Sequence, residues 1–224
     1  MATLPELLRT TRWAQVLTPE QMRRVEAETY EQFCPAGTAV CRKGEPVDAW
    51  IGILEGLVKV QAVSSQGRVI TFTGVPTGGW LGEGSLLKEE PRRYDILTLR
   101  DSRIARMPRA TFRWLLDASI GFNRFLLVQL NERLAQFIGL IEHERLLDTD
   151  ARVARDLAEL FNPVLYPGVG LRLSISQEEI GYLTGVSRQR VNQALGKLES
   201  EGLIAIEYGG IRVLDLKRLR SYGA

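Results

Sequence analysis

Apolar and polar positions along the chain change texture three times. Thr18-Pro19-Glu20-Gln21 is a capping-box pattern with proline at the first helical position, and it predicts a short helix through Met22, Val25 and Thr29. From about Phe33 to Met107 the apolar residues come in short alternating runs: Trp50-Ile51-Gly52-Ile53, Leu57-Val58-Lys59-Val60 and Val69-Ile70-Thr71-Phe72. Gly37, Gly44, Gly56, Gly67, Gly74 and the Gly78-Gly79 pair punctuate these runs, a pattern that predicts a compact antiparallel β-roll or barrel. Pro108 then opens a long segment without internal proline, in which Leu127, Leu130, Leu134, Phe137 and Ile141 recur at heptad spacing. A helix continuous from Arg109 to Arg145 would span on the order of 50 Å at 1.5 Å per residue. A seam that continues past the roll needs a second apolar surface, and the same helix of another subunit supplies it, so these five residues are expected to form a dimer interface.

A further unit begins near Asp148. Asp148-Thr149-Asp150 offers an N-cap to a helix with Val153, Leu157, Leu160 and Phe161 on one face, which Asn162-Pro163 ends. Leu171-Arg172-Leu173-Ser174-Ile175 alternates like a strand, and Ser176-Gln177-Glu178-Glu179 is a second capping box. Ile180 and Leu183 give the following helix its apolar face, Thr184-Gly185-Val186 makes a turn, and Ser187 caps a helix carrying Val191, Ala194, Leu195 and Leu198. Gly185 stands where a helix-turn-helix requires positive φ. Leu203-Ile204-Ala205-Ile206 and Ile211-Arg212-Val213-Leu214 flank Glu207-Tyr208-Gly209-Gly210, a hairpin that completes the module as a wing.

The helix after Ser187 bears Arg188, Gln189, Arg190, Asn192, Gln193 and Lys197 and has no acid between Arg188 and Lys197. Arginine and amide side chains near a helix N-terminus can make bidentate contacts to guanine and adenine edges in a major groove, while Ser187 and the free amide groups can meet a phosphate, and Ser176 and Gln177 at the start of the preceding helix are counted with them. This is the expected DNA-binding set. The 224 residues, 45% of them hydrophobic, suffice for two modest cores. The net charge of +2 imposes no global field, so any nucleic-acid contact must come from a local patch. The start of the chain has no basic segment leading into an apolar run, and no uncharged stretch reaches membrane-spanning length, giving the expectation of a cytoplasmic protein without a membrane partner. Cys34 and Cys41 fit neither a zinc pair nor a disulfide framework and are read as reduced and structural, and the single His143 cannot build a metal site. Neither a nucleophile motif nor a phosphate-binding loop is present, so no enzyme activity is expected.

Leu81-Gly82-Glu83-Gly84-Ser85 through Arg92-Arg93-Tyr94, the seam helix, and Gln177-Glu178-Glu179-Ile180-Gly181 through Ser187-Arg188-Gln189-Arg190-Val191 together resemble the CRP/FNR family of transcription regulators over nearly the whole chain. The resemblance implies an α+β chain: an N-terminal antiparallel, jelly-roll-like β-roll with N-terminal helices over 1–107, a long dimerisation helix over 108–147, and a C-terminal winged helix-turn-helix over 148–224. It places Arg188, Gln189 and Gln193 at base-reading positions, with Ser187 and Arg190 on phosphate. Gln189 and Gln193 differ from the best-known member, so its half-site does not transfer. The implied partners are double-stranded DNA carrying an inverted repeat, a second copy of the chain, and RNA polymerase through the loop from Val164 to Gly168.

In cyclic-nucleotide-binding relatives a Gly-Glu turn and a later arginine hold the cyclic phosphate and the ribose, roles that Glu83 and Arg93 match. Gly82, Gly84, Ser85, Leu86, Tyr94 and Phe137 complete the implied effector set. Tyr94 replaces a small hydroxyl residue, and Phe137 with Ile138 stands where polar residues would meet the purine, so the effector is a cyclic nucleotide of unassigned identity, another anion, or none. The iron-sulfur cysteine cluster and a roll histidine for haem are both missing from the pattern. Two other readings fit the same roll: a regulator with a degenerate pocket that binds DNA without ligand, and a regulatory module acting on a protein partner. The second has no need of a basic recognition helix.

Overall fold

The computed structural model describes residues 2–223. Helices α1 (Leu4–Arg9) and α2 (Pro19–Glu28) precede eight strands: β1 (Tyr30–Cys34), β2 (Ala39–Cys41), β3 (Ala49–Glu55), β4 (Leu57–Val63), β5 (Val69–Pro76), β6 (Trp80–Leu81), β7 (Asp95–Thr98) and β8 (Ser102–Pro108). Helix α3 (Glu83–Lys88) lies between β6 and β7. The α2 start carries the expected reciprocal cap, in which Thr18 Oγ accepts from the Gln21 amide and the Gln21 side chain accepts from the Thr18 amide.

The strands pair antiparallel in two four-stranded sheets, ordered β1-β8-β3-β6 and β2-β7-β4-β5. Their facing sides enclose Cys34, Val40, Ile51, Ile53, Val58, Val60, Val75, Ile96 and Ile104. Strand β3 is buried on both faces from Ala49 to Leu54, which is why it reads as a nearly continuous apolar run. Ile51 and Ile53 face the roll interior, while Trp50 and Leu54 lie under the helices. There Trp13, Trp50, Trp80, Phe112 and Phe122 form one aromatic cluster, with Trp50 and Trp80 ring centroids 4.4 Å apart and Trp13 and Trp80 5.1 Å apart.

The long helix is not continuous. It is divided into α4 (Arg109–Ala118) and α5 (Ile120–Leu146) at Ser119, whose extended backbone (φ −137°, ψ 103°) stops one helix and whose Oγ caps the next through the Phe122 amide. The 27 residues of α5 give a rod of roughly 40 Å rather than 50 Å.

The C-terminal unit comprises α6 (Thr149–Glu159), β9 (Arg172–Leu173), α7 (Gln177–Thr184), α8 (Arg188–Ser200), β10 (Ile204–Glu207), β11 (Gly210–Val213) and α9 (Leu216–Arg220). Val153, Leu157, Ile180, Val191, Leu195, Leu198, Leu203 and Ile211 form its core. Asp148, Ser176 and Ser187 cap α6, α7 and α8 as their sequence positions predict. The unit sits against the roll: Leu57 of β4 is buried in its core, Arg100 pairs with Glu179 at 2.5 Å, and the Lys59 ammonium lies 4.7 Å over the Tyr182 ring.

Candidate functional site

Helix α8 is fixed by its apolar side and open on its polar side. Val191, Ala194, Leu195 and Leu198 are buried against α6 and α7, and Gly185 takes the left-handed conformation (φ +66°) that turns the chain from α7 into α8. This leaves Arg188, Gln189, Arg190, Asn192 and Gln193 exposed along one helix. Arg188, Gln189 and Asn192 have no side-chain hydrogen bond or ion pair among the described residues, whereas Arg190 donates to Gln193 Oε1 at 2.6 Å. Asp150, in the first turn of α6, draws Arg190 (3.4 Å) and Lys197 (3.3 Å) together. At the other helix start Ser176 is exposed and Gln177 half-buried. The hairpin tip adds Tyr208, which is fully exposed, while Arg172 and Arg212 both pair with Glu207 behind it. Tyr208 escaped the sequence reading because one aromatic in a turn carries no periodic signal.

The second candidate site lies in the roll. Gly82 (φ +95°) turns β6 into α3 and buries Glu83, whose carboxylate accepts from Trp50 Nε1 at 3.3 Å. Gly84 is half-buried, and Ser85 and Leu86 are buried, Leu86 within the aromatic-lined core. The arginine facing this turn is Arg92, and the expectation for Arg93 is corrected. Arg93 points to solvent, its side chain 67% exposed, and chelates Glu90 with two bonds of 2.7 Å. Arg92 is 2% exposed and so close to Gly82 that a Cβ there would lie 2.4 Å from its Nη1. Its Nη2 donates to the Ala49 carbonyl at 2.7 Å and stands 3.5 Å from Asp48, while Nε and Nη1 are buried without a partner among the described residues. A buried guanidinium with two idle donors is costly, and an anion at this place would satisfy it.

Around this turn the electrostatics are unusual. Burial and the Glu83 charge push the Tyr94 phenol up to about 12, so Tyr94 is a neutral hydrogen-bonding group at physiological pH. Arg133 of α5 reaches the same region, donating through Nη2 to the Trp80 carbonyl and through Nη1 to the Tyr166 hydroxyl, both at 2.9 Å. Burial works against its charge, but Tyr166, Glu83 and Tyr94 hold its pKa above the ordinary value. Gln129 also donates to the Trp80 carbonyl, and Gln136 accepts from Tyr166. Helix α5 therefore presents polar groups to the roll, and Phe137, expected here, instead lines a groove of about 1150 Å³ shared by β4, β5, α5, α6 and α7. The Cys41 thiol, pushed up to about 11 by burial, and the Cys34 thiol, raised for the same reason, are poor nucleophiles.

Of the five seam residues, Leu127, Leu134 and Ile141 are exposed, joined by Ile120, Val128 and Ile138, while Leu130 and Phe137 are half-buried against their own protomer. Ile120, Leu127, Leu134 and Ile141 follow one another at intervals of seven, a stripe narrower than the pattern of spacings suggested. The loop from Val164 to Gly168 turns its two largest side chains inward, Leu165 at 2% and Tyr166 at 1% exposure, and leaves Pro167 and Gly168 exposed. Among the described residues no cluster of three metal-ligating side chains occurs and no helix is long and apolar enough to cross a membrane.

A β-roll that buries Glu83 and a partly unpartnered Arg92 at one turn, a helical rod and a winged helix-turn-helix together define an effector-controlled DNA-binding regulator. Residues 31–119 match the family model for the cyclic nucleotide-binding domain, and residues 151–222 that for the Crp-like helix-turn-helix domain. Over 189 residues the chain is 31% identical to the CRP-like cAMP-activated global transcriptional regulator of Mycobacterium tuberculosis, spanning 83% of this chain and 84% of that one. It is 32% identical over 177 residues to the transcriptional regulator SdrP of Thermus thermophilus, spanning 78% and 84% respectively. A solved CRP/FNR transcriptional regulator, also from Thermus thermophilus, superposes with a TM-score of 0.58 at 28% identity, covering 86% of this chain and 97% of that one. The chain belongs to the CRP/FNR family of DNA-binding transcription regulators.

Proposed function

We propose that the protein works as a homodimer on an inverted repeat in double-stranded DNA, under the control of an anionic effector, a cyclic nucleotide, bound at Glu83 and Arg92. The observation that carries the DNA half is the unpaired polar face of α8, where Arg188, Gln189 and Asn192 stand free on a helix whose other side is fully packed. Arg188 reads guanine and Gln189, Asn192 and Gln193 read neighbouring base edges, while Ser176, Gln177, Ser187 and Arg190 hold the backbone. The exposed α5 stripe of Leu127, Leu134 and Ile141 pairs with its copy, setting the two recognition helices about 34 to 36 Å apart on one face of the duplex. The effector half rests on the idle donors of Arg92 beside Gly82, with Glu83 poised for a sugar hydroxyl. In this reading 1–107 senses, 108–147 pairs the subunits and 148–224 binds DNA.

The test is selection of bound fragments from random duplex DNA at fixed salt, without nucleotide and with cyclic AMP, cyclic GMP or cyclic di-GMP. Enrichment of an inverted repeat, strengthened by one of these nucleotides, is the expected result. A repeat enriched equally in every condition removes the effector half, and enrichment of no sequence removes the DNA half.

A further inference from the structure

Tyr166 belongs by sequence to the DNA-binding domain, in the connection between α6 and β9, but its side chain lies in the β-roll. It is 1% exposed and shares the roll core with Val58, Val75 and Leu81. Its hydroxyl accepts from Arg133 Nη1 at 2.9 Å and is 3.2 Å from two acceptors, Gln136 Oε1 and the Gly74 carbonyl. The connection is shaped for this insertion. Asn162 Oδ1 accepts from the Val164 and Leu165 amides, and its amide nitrogen donates to Glu132 of α5. At the receiving turn of the roll, a Cβ on Gly79 would meet the Tyr166 ring at 3.0 Å and one on Gly78 would meet the Gly168 nitrogen at 2.6 Å, so only glycines admit the loop.

Arg133 is common to this contact and to the ligand site. Its guanidinium carries the phenol on one nitrogen and the Trp80 carbonyl on the other, and β6 runs from Trp80 through Leu81 directly into Gly82 and Glu83. We propose that Tyr166 is a resident occupant of the ligand pocket, latching the DNA-binding domain to the roll, and that a cyclic nucleotide engaging Arg133 and the latched position of this domain exclude one another. The ligand half of this inference rests on the pocket reading above; the latch half does not. Other ties between the units, Arg100 to Glu179, Lys59 over Tyr182, and Leu160 with Leu183 over Gly74, bear on α7 or the end of α6, and Leu57 of β4 is buried in the core behind them. Release of Tyr166 therefore loosens the scaffold that orients α8.

The experiment uses the full chain with Tyr166→Phe, which keeps the ring and removes the hydroxyl contacts, and Tyr166→Ala, which empties the position. Amide hydrogen exchange is followed in residues 162–170 and 74–81, and cyclic AMP, cyclic GMP and cyclic di-GMP are titrated by calorimetry. Exchange in both segments should accelerate about tenfold or more in Tyr166→Ala and less in Tyr166→Phe, and the binding nucleotide should gain about tenfold in affinity because it no longer competes with the phenol. That nucleotide should also accelerate exchange of the same segments in the wild type. Unchanged exchange in both variants overturns the latch. Accelerated exchange with weaker nucleotide binding overturns the exclusion and makes Tyr166 a wall of the ligand site. Accelerated exchange with no nucleotide bound by any form upholds the latch and overturns the cyclic-nucleotide reading of the pocket.

Discussion

Arg188→Ala isolates base reading from every other role of the helix. The side chain is exposed and makes no hydrogen bond or ion pair among the described residues, so its loss breaks nothing in the fold, and stability should stay within about 0.5 kcal/mol. A bidentate arginine–guanine contact is worth about 1–3 kcal/mol at its base pair, and a symmetric dimer makes it twice. Affinity for the selected repeat should therefore fall between about 30-fold and more than 10,000-fold, at roughly 1.4 kcal/mol per decade. The loss should be confined to sequence preference. In fluorescence anisotropy with the selected repeat and its single-base variants, the mutant should bind all of them alike at the contacted position, and Arg188→Lys should restore charge without restoring the preference. A mutant weakened equally on every sequence, with its salt slope reduced by about one per protomer, would show Arg188 on phosphate and refute the assignment.

Arg92→Met removes a buried cation with two idle donors, so the ligand-free protein should melt at the same temperature or higher while losing any cyclic-nucleotide-induced rise; a retained rise excludes Arg92 from the ligand. Leu134→Asp places a carboxylate in the middle of the exposed α5 stripe and should yield monomers in sedimentation, a persistent dimer locating the interface elsewhere. Glu90 should titrate at about 2 in a carboxyl NMR experiment, held down by hydrogen bonds from Arg93 and then Lys88. Because this folded-state pKa lies below the unfolded one, its stabilising contribution is present above the unfolded value and disappears as pH falls towards 2. Arg93→Ala should bring Glu90 back towards the ordinary carboxylate range, and an unmoved titration means that the Arg93 side chain is not its partner.

What could be read from the chain in advance was local. Ser176, Ser187, Asp148 and Thr18 act within three residues of themselves, and Gly185 announces its own backbone, so the C-terminal module was legible down to its caps. Ser119 carried the same kind of signal, a serine two residues before Gly121 and three before Phe122, but the uninterrupted apolar pattern around it masked the break. The choice between Arg92 and Arg93 was not legible. It depends on how the chain leaves α3, through Glu89 in the left-handed region (φ 54°), and one residue of difference there exchanges the inward and outward side chains at the approach to β7. Tyr166 was hidden for another reason. A Pro- and Gly-rich connection has no periodicity, and the partner that buries its tyrosine lies 92 residues away at Gly74.

Three of the four tryptophans, Trp13, Trp50 and Trp80, pack in tilted and edge-to-face pairs with ring centroids within 5.9 Å of one another, and one of them is hydrogen-bonded to Glu83. Indoles this close share their excited states, so their emission and near-ultraviolet circular dichroism respond to the cluster as a unit. Any molecule that takes Glu83 from the Trp50 Nε1 proton, or the Trp80 carbonyl from Arg133, changes the polarity at that unit. The fourth, Trp114, lies apart under the Arg24 guanidinium at 4.2 Å and supplies a separate component. An effector bound at the proposed Glu83 and Arg92 site should therefore report its own arrival as an optical signal without a label, which a stopped-flow trace can time against the proposed release of the DNA-binding domain.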